Sequence, residues 1–144
     1  MSAAATLRVG IDLVSVDEVA ESVQRFGDRY VNRIYTPHEI DSCRGRTVAD
    51  GAPGGLAVES LAARFAAKEA VMKVLRPVGV QLDWRSIELH RMTGGWCEIR
   101  LSGRAAAMAA EAGIDELSVS LTHDASVAGA VVVGRCTSNE RGDG

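Results

Sequence analysis

Residues 58–75, VESLAARFAAKEAVMKVL, carry the strongest helical pattern in the chain. Leu61, Phe65, Met72 and Leu75 recur at the spacing of one helix face, and Pro77 cannot extend the pattern, so a long helix ends before the proline. Lys68 projects into this apolar stripe, where an ammonium must either snorkel to water or find a partner, and Arg64 lies one turn before it. Glu69, Lys73 and Arg76 form a second face beside Ala62 and Ala66, whose small side chains let another backbone come close. On spacing alone, Glu69 and Lys73 read first as an ordinary i,i+4 surface ion pair.

Toward the N-terminus, residues 7–14 alternate: Leu7, Val9, Ile11 and Leu13 against Arg8, Gly10, Asp12 and Val14, the period of a half-buried strand. Asp12 stands among apolar neighbours. A carboxylate drawn out of water there requires a lysine, backbone N–H groups, or a metal or substrate opposite it. Ser15 and Glu18 form a capping-box pattern for a helix reaching about Phe26, and Thr36-Pro37-His38-Glu39 caps a second, short helix ending near Cys43. Residues 45–55, rich in glycine and without apolar periodicity, read as a surface loop.

Toward the C-terminus, strands are expected at 86–91 and 97–101 around a Thr93-Gly94-Gly95 turn, then a helix from an N-cap at Ser102 to a C-cap at Gly113. A final hairpin runs from Leu117 through a turn at His123-Asp124-Ala125-Ser126 to Val133. His123 in a turn reads first as structural or simply exposed. These elements predict an α+β domain over residues 1–134, a mainly antiparallel sheet packed on a long central helix, with 135–144 a polar, disordered tail.

With 144 residues, 47% hydrophobic and 24% charged, the chain can bury one core of useful size, which argues for one domain. A net charge of -3 lacks the basic excess that phosphate neutralisation needs, so nucleic acid is excluded as a partner. Cys43, Cys97 and Cys136 are odd in number and unpaired in spacing, which fits a reducing cytoplasm. His38 and His90 offer no zinc-ligand spacing with each other or the cysteines. No signal peptide or membrane span is read at the start of the chain.

Gly10-Ile11-Asp12, then Arg64-Phe65-Ala66-Ala67-Lys68-Glu69-Ala70 with Lys73, then Val119-Ser120-Leu121-Thr122-His123-Asp124 occur in that order. Together they resemble the holo-acyl-carrier-protein synthases, the small unduplicated type of 4'-phosphopantetheinyl transferase, over most of residues 9–133. The central run is the specific part of the match.

The resemblance implies that fold and a transfer of phosphopantetheine from coenzyme A to a serine of an apo acyl carrier protein, releasing adenosine 3',5'-bisphosphate. Asp12 and Glu69 match the family's ligands for Mg²⁺, or Mn²⁺. Glu69 and Lys73 match its catalytic pair, Glu69 also accepting the serine proton and Lys73 contacting the diphosphate. Arg64, Lys68, Thr122 and His123 match or adjoin positions that hold the nucleotide end. The family further implies a homotrimer with sites between subunits and a place in fatty-acid or polyketide biosynthesis. A non-catalytic homologue that binds a carrier or nucleotide is the rival; the joint presence of Asp12, Glu69 and Lys73 argues against it.

Three positions depart from the family pattern. Many relatives carry an arginine six residues after the metal aspartate to dock an acidic carrier, where this chain has Glu18, with Asp17 and Glu21 beside it. Arg25, Arg29, Arg33 and Arg44 follow, so a shifted docking footprint or a non-standard carrier is expected. Arg76-Pro77-Val78-Gly79 replaces a glycine-rich turn, and Gly94-Gly95-Trp96 replaces a Gly-Lys-Pro near the nucleotide, where Trp96 either stacks on the base or covers the sheet.

Overall fold

Five strands and five helices are formed by the described residues, 4–44 and 55–137, of the computed structural model: β1 (Ala5–Ser15), α1 (Val16–Phe26), α2 (Asp28–Ile34), α3 (Pro37–Ser42), α4 (Val58–Leu75), β2 (Ile87–Arg91), β3 (Cys97–Leu101), α5 (Gly103–Glu111), β4 (Ile114–His123) and β5 (Val127–Thr137). A 3₁₀ turn, Trp84–Ser86, precedes β2. β1, β5 and β4 make an antiparallel sheet in the order β1-β5-β4, and β2 pairs antiparallel with β3. Apart from Gly55, the expected 45–55 loop lies outside the described residues.

The helix starts follow local chemistry. Ser15 Oγ accepts the Glu18 N–H at 3.3 Å, and Thr36 and Glu39 complete a reciprocal capping box. α2 was not foreseen: Gly27 turns the chain with φ 54°, and Val31, Ile34 and Tyr35 then bury their side chains. Tyr35 donates its hydroxyl to the Leu61 carbonyl at 2.8 Å, tying this corner to α4.

α4 is central and buried on almost all sides. Ala62, Ala66 and Ala70 are fully buried, and α4 packs on β1 and β5. Gly10 makes this approach possible: a Cβ there would stand 2.1 Å from the Ala70 carbonyl oxygen. Because backbone meets backbone, nothing flexible can move aside, and Gly10→Ala is expected to cost about 3 kcal/mol in urea denaturation, the upper range for overpacking. A loss under about 1 kcal/mol would mean the two elements can separate cheaply.

One expectation changes. A disordered tail is expected from 135 onward, but β5 continues through Thr137, which pairs with Ala5, and Arg135 donates to the Asp115 carboxylate at 3.0 Å. Backbone partners on β1 hold the strand past its apolar run; residues 138–144 lie outside the described residues. The alternation in β1 leaves Leu7, Val9, Ile11 and Leu13 67%, 60%, 62% and 71% exposed, while Val14 is buried and Gly10 and Asp12 meet α4.

Candidate active site

β1 and α4 meet at a charged cluster. Because Gly10 lets the strand lie against α4, Asp12, two residues on, reaches the helix beside Glu69 and Lys73. Lys73 Nζ donates to the Ile11 carbonyl at 2.7 Å and to Asp12 Oδ1 at 3.3 Å. The ion pair formed is therefore Lys73–Asp12, across two elements, in place of the i,i+4 pair with Glu69.

The other Asp12 oxygen, Oδ2, is buried and has no hydrogen-bond partner. An orphaned buried carboxylate oxygen is costly. Glu69, half-buried next to it, has its carboxyl pushed up to about 7, first by burial and then by the neighbouring Asp12 carboxyl, with Lys73 pulling the other way. Two carboxylates, one oxygen unsatisfied and one carboxyl reluctant to ionise, form a donor set that a hard divalent cation would relieve. No group of three His, Cys, Asp or Glu side chains suited to a metal occurs among the described residues, so the remaining ligands would be water and substrate oxygens.

A second cluster lies around another side of α4. Arg64 is 6% exposed, donates Nη1 to the Ser60 carbonyl at 3.3 Å, and leaves its Nε without a partner. With Ser60, Arg91, Trp96, Ser120 and His123 it lines a cleft of about 350 Å³. Two arginines and a histidine around one cleft suit an anion of several oxygens. Arg91 was not singled out from the sequence; a basic residue ending a strand carries no local signal of a cleft formed by three other elements. The Trp96 ring lies against Gly94 and is 58% exposed at the cleft rim.

Neither Lys68 nor Thr122 joins these clusters. Lys68 was expected to hold the nucleotide end, yet its side chain is fully buried and donates to Glu39 Oε1 at 2.7 Å, to the Trp84 carbonyl at 3.0 Å and to the Ile87 carbonyl. All three N–H bonds are made inside the protein, which leaves Lys68 none for a ligand. Thr122 lies on the outer sheet face with Ile11 and Leu13, opposite in strand direction to its neighbour His123. His38 and His90 stack with ring centroids 4.0 Å apart, and neither lines the Arg64 cleft.

Residues 8–131 match the family model of the 4'-phosphopantetheinyl transferase superfamily. The chain belongs to this superfamily. Among curated phosphopantetheinyl transferases, it is 39% identical over 137 residues to the holo-[acyl-carrier-protein] synthase of Desulforudis audaxviator, covering 94% of this chain and 98% of the relative. Its structure resembles the holo-[acyl-carrier-protein] synthase of Helicobacter pylori in complex with coenzyme A, with TM-score 0.72, 31% identity, and coverage of 88% and 99%. It is likewise similar to the Chronobacterium ammoniagenes ACPS-CoA complex, with TM-score 0.78, 27% identity, and coverage of 92% and 99%. The transferase fold expected from the sequence is thus the observed one. Among the described residues, no helix is long and apolar enough to cross a membrane.

Proposed function

We infer that this transferase moves the 4'-phosphopantetheine group of coenzyme A onto a serine of an apo acyl carrier protein. The observation that carries the site assignment is the buried, unpartnered Oδ2 of Asp12 beside Glu69, with Lys73 bridging back to the same carboxylate. In the reaction, the serine oxygen bonds to the β-phosphorus, the bond from that phosphorus to the bridging oxygen breaks, and adenosine 3',5'-bisphosphate leaves. Asp12 and Glu69 would hold Mg²⁺, or Mn²⁺. When bound, such a cation draws charge from the diphosphate.

The chain's own groups divide the remaining work. Lys73, 54% exposed at its side chain, is free to leave Asp12 for the diphosphate and offset charge gathering on the leaving group. Glu69, beside Asp12, is placed to accept the serine proton. Arg64, Arg91 and His123 bind the phosphates of the nucleotide end, with Trp96 at the rim for the base. Release of adenosine 3',5'-bisphosphate, followed by chromatography, should require coenzyme A, Mg²⁺ and an apo-carrier together; release without a carrier would point to hydrolysis instead.

The apolar outer face of β1, continued by Val131 and Val133 of β5, supports a homotrimer. Four large side chains more than half exposed in one row exceed what scattered surface apolar residues explain. Thr122 shares that face, so a neighbouring copy would bring it toward another subunit's site. Val9→Glu is expected to yield monomers by light scattering and to abolish most transfer; a trimer that persists would remove this face from the interface.

The charges of α1 and α2 bear on carrier docking. Asp17, Glu18 and Glu21 lie exposed near its start, and Arg25, Arg29 and Arg33 lie exposed from its end into α2. An acidic carrier is repelled at the first group and attracted at the second. The double variant Arg25→Ala/Arg29→Ala should raise carrier KM about tenfold, leaving that for coenzyme A unchanged. An unchanged carrier KM would place docking elsewhere.

A further inference from the structure

We propose that the Glu39–Lys68 ion pair is a positioning device that fixes the rotation of α4, and with it the placement of Glu69 against Asp12. Lys68 and Glu39 would then be positioning residues for the transfer, touching neither substrate nor cation; this rests on the reading of Asp12 and Glu69 as the reacting site.

Both side chains are fully buried. Glu39 Oε1 accepts the Thr36 N–H at 3.0 Å as well as Lys68, and Oε2 accepts the Leu89 N–H at 3.1 Å. Lys68 adds the Trp84 and Ile87 carbonyls. One ammonium and one carboxylate therefore join α3, α4, the 3₁₀ turn and β2 through bonds of fixed direction. Buried ion pairs contribute little net stability compared with apolar residues of similar volume, and their best-attested use is to select one packing register.

Register needs such a selector here. Where α4 meets the sheet, Ala70 lies against Gly10 and Val74 against Gly134, and the fully buried Ala62 and Ala66 continue the Ala70 row with small side chains that offer little resistance to rotation. Lys68 stands two residues from both Ala66 and Ala70, which places it on the opposite side of the helix, about 160° away. Glu69 is the very next residue. A rotation of α4 permitted by the alanine face would swing Glu69 along the sheet and away from Asp12, and the Lys68 clamp opposes it.

The test compares wild type with Glu39→Gln/Lys68→Met, a pair of similar volume without charge, and with Ala109→Gly, which loosens the buried face of α5. Mn²⁺ affinity is read by electron paramagnetic resonance of free Mn²⁺, alongside kcat and KM, below each variant's unfolding midpoint. The double variant is expected to lose at least about tenfold in Mn²⁺ affinity and in kcat, with KM for coenzyme A within about twofold, while Ala109→Gly keeps wild-type Mn²⁺ affinity. Wild-type Mn²⁺ affinity and kcat in the double variant would overturn the proposal, as would an equal loss in Ala109→Gly. If the double variant does not fold, Glu39→Asp, which keeps the charge but shortens the reach, decides by the same readouts. A wild-type protein that binds Mn²⁺ but transfers nothing would refute the functional reading, and the Mn²⁺ comparison would still judge the positioning role.

Discussion

Asp12→Ala is expected to lower kcat for phosphopantetheine transfer by roughly 10²- to 10³-fold, the cost of removing one group aimed at transition-state charge. The same change should leave stability intact or raise it. Asp12 has a buried oxygen without a partner and a carboxyl neighbour, against one ion pair with the exposed Lys73, so its removal relieves more than it loses. Loss of rate with no loss of stability separates a catalytic role from a structural one. Urea denaturation beside steady-state kinetics checks both, and a variant that is less stable yet still active would reverse the assignment.

The pH dependence follows from Glu69. Its carboxyl titrates near 7 in the folded protein, above the ordinary value of 4.5. A raised carboxyl favours folding in its protonated form, so its stabilising contribution is complete below the unfolded value and is lost as pH rises through about 7. In chelator, the unfolding midpoint should fall between about pH 5 and about pH 8, and Asp12→Asn should lessen the fall. Proton and cation compete for Glu69, so Mn²⁺ affinity should climb over the same range. A pH-independent Mn²⁺ affinity would mean that Glu69 is not a ligand.

The second large effect is on stability. Lys68→Met removes one partner of the buried pair and leaves the Glu39 carboxylate enclosed, held by two backbone N–H groups and no cation. Breaking such a pair from one side costs about 3–5 kcal/mol, since the orphaned charge cannot return to water. Burial already draws the Lys68 ammonium below its ordinary value against the pull of Glu39, a sign of how strongly this interior disfavours charge. Chemical denaturation of Lys68→Met measures the cost; a loss below about 1 kcal/mol would show that water reaches Glu39.

These residues also mark how far the sequence could be read. The α4 pattern and its proline stop were local, and the helix appears with the expected limits. Asp12 was legible as a carboxylate out of place in a strand. Which face of β1 turns inward was not: alternation defines two faces, while the choice depends on Gly10 meeting Ala70, a contact 60 residues distant. Lys68 shows the same limit. Its position in the apolar stripe demanded a partner, but Glu39 lies 29 residues away and had already been assigned to the Thr36 cap. The α2 helix was missed because its apolar residues, Val31, Ile34 and Tyr35, span barely one turn after Gly27.

Intact-mass spectrometry of apo-carriers from fatty-acid and polyketide systems, incubated with this protein, coenzyme A and Mg²⁺, decides whether the chain transfers phosphopantetheine. At least one carrier should gain one phosphopantetheine on its serine, and the gain should vanish with Asp12→Ala. Coenzyme A binding without modification of any carrier would contradict transfer, and would leave a homologue that binds its ligand without transferring it.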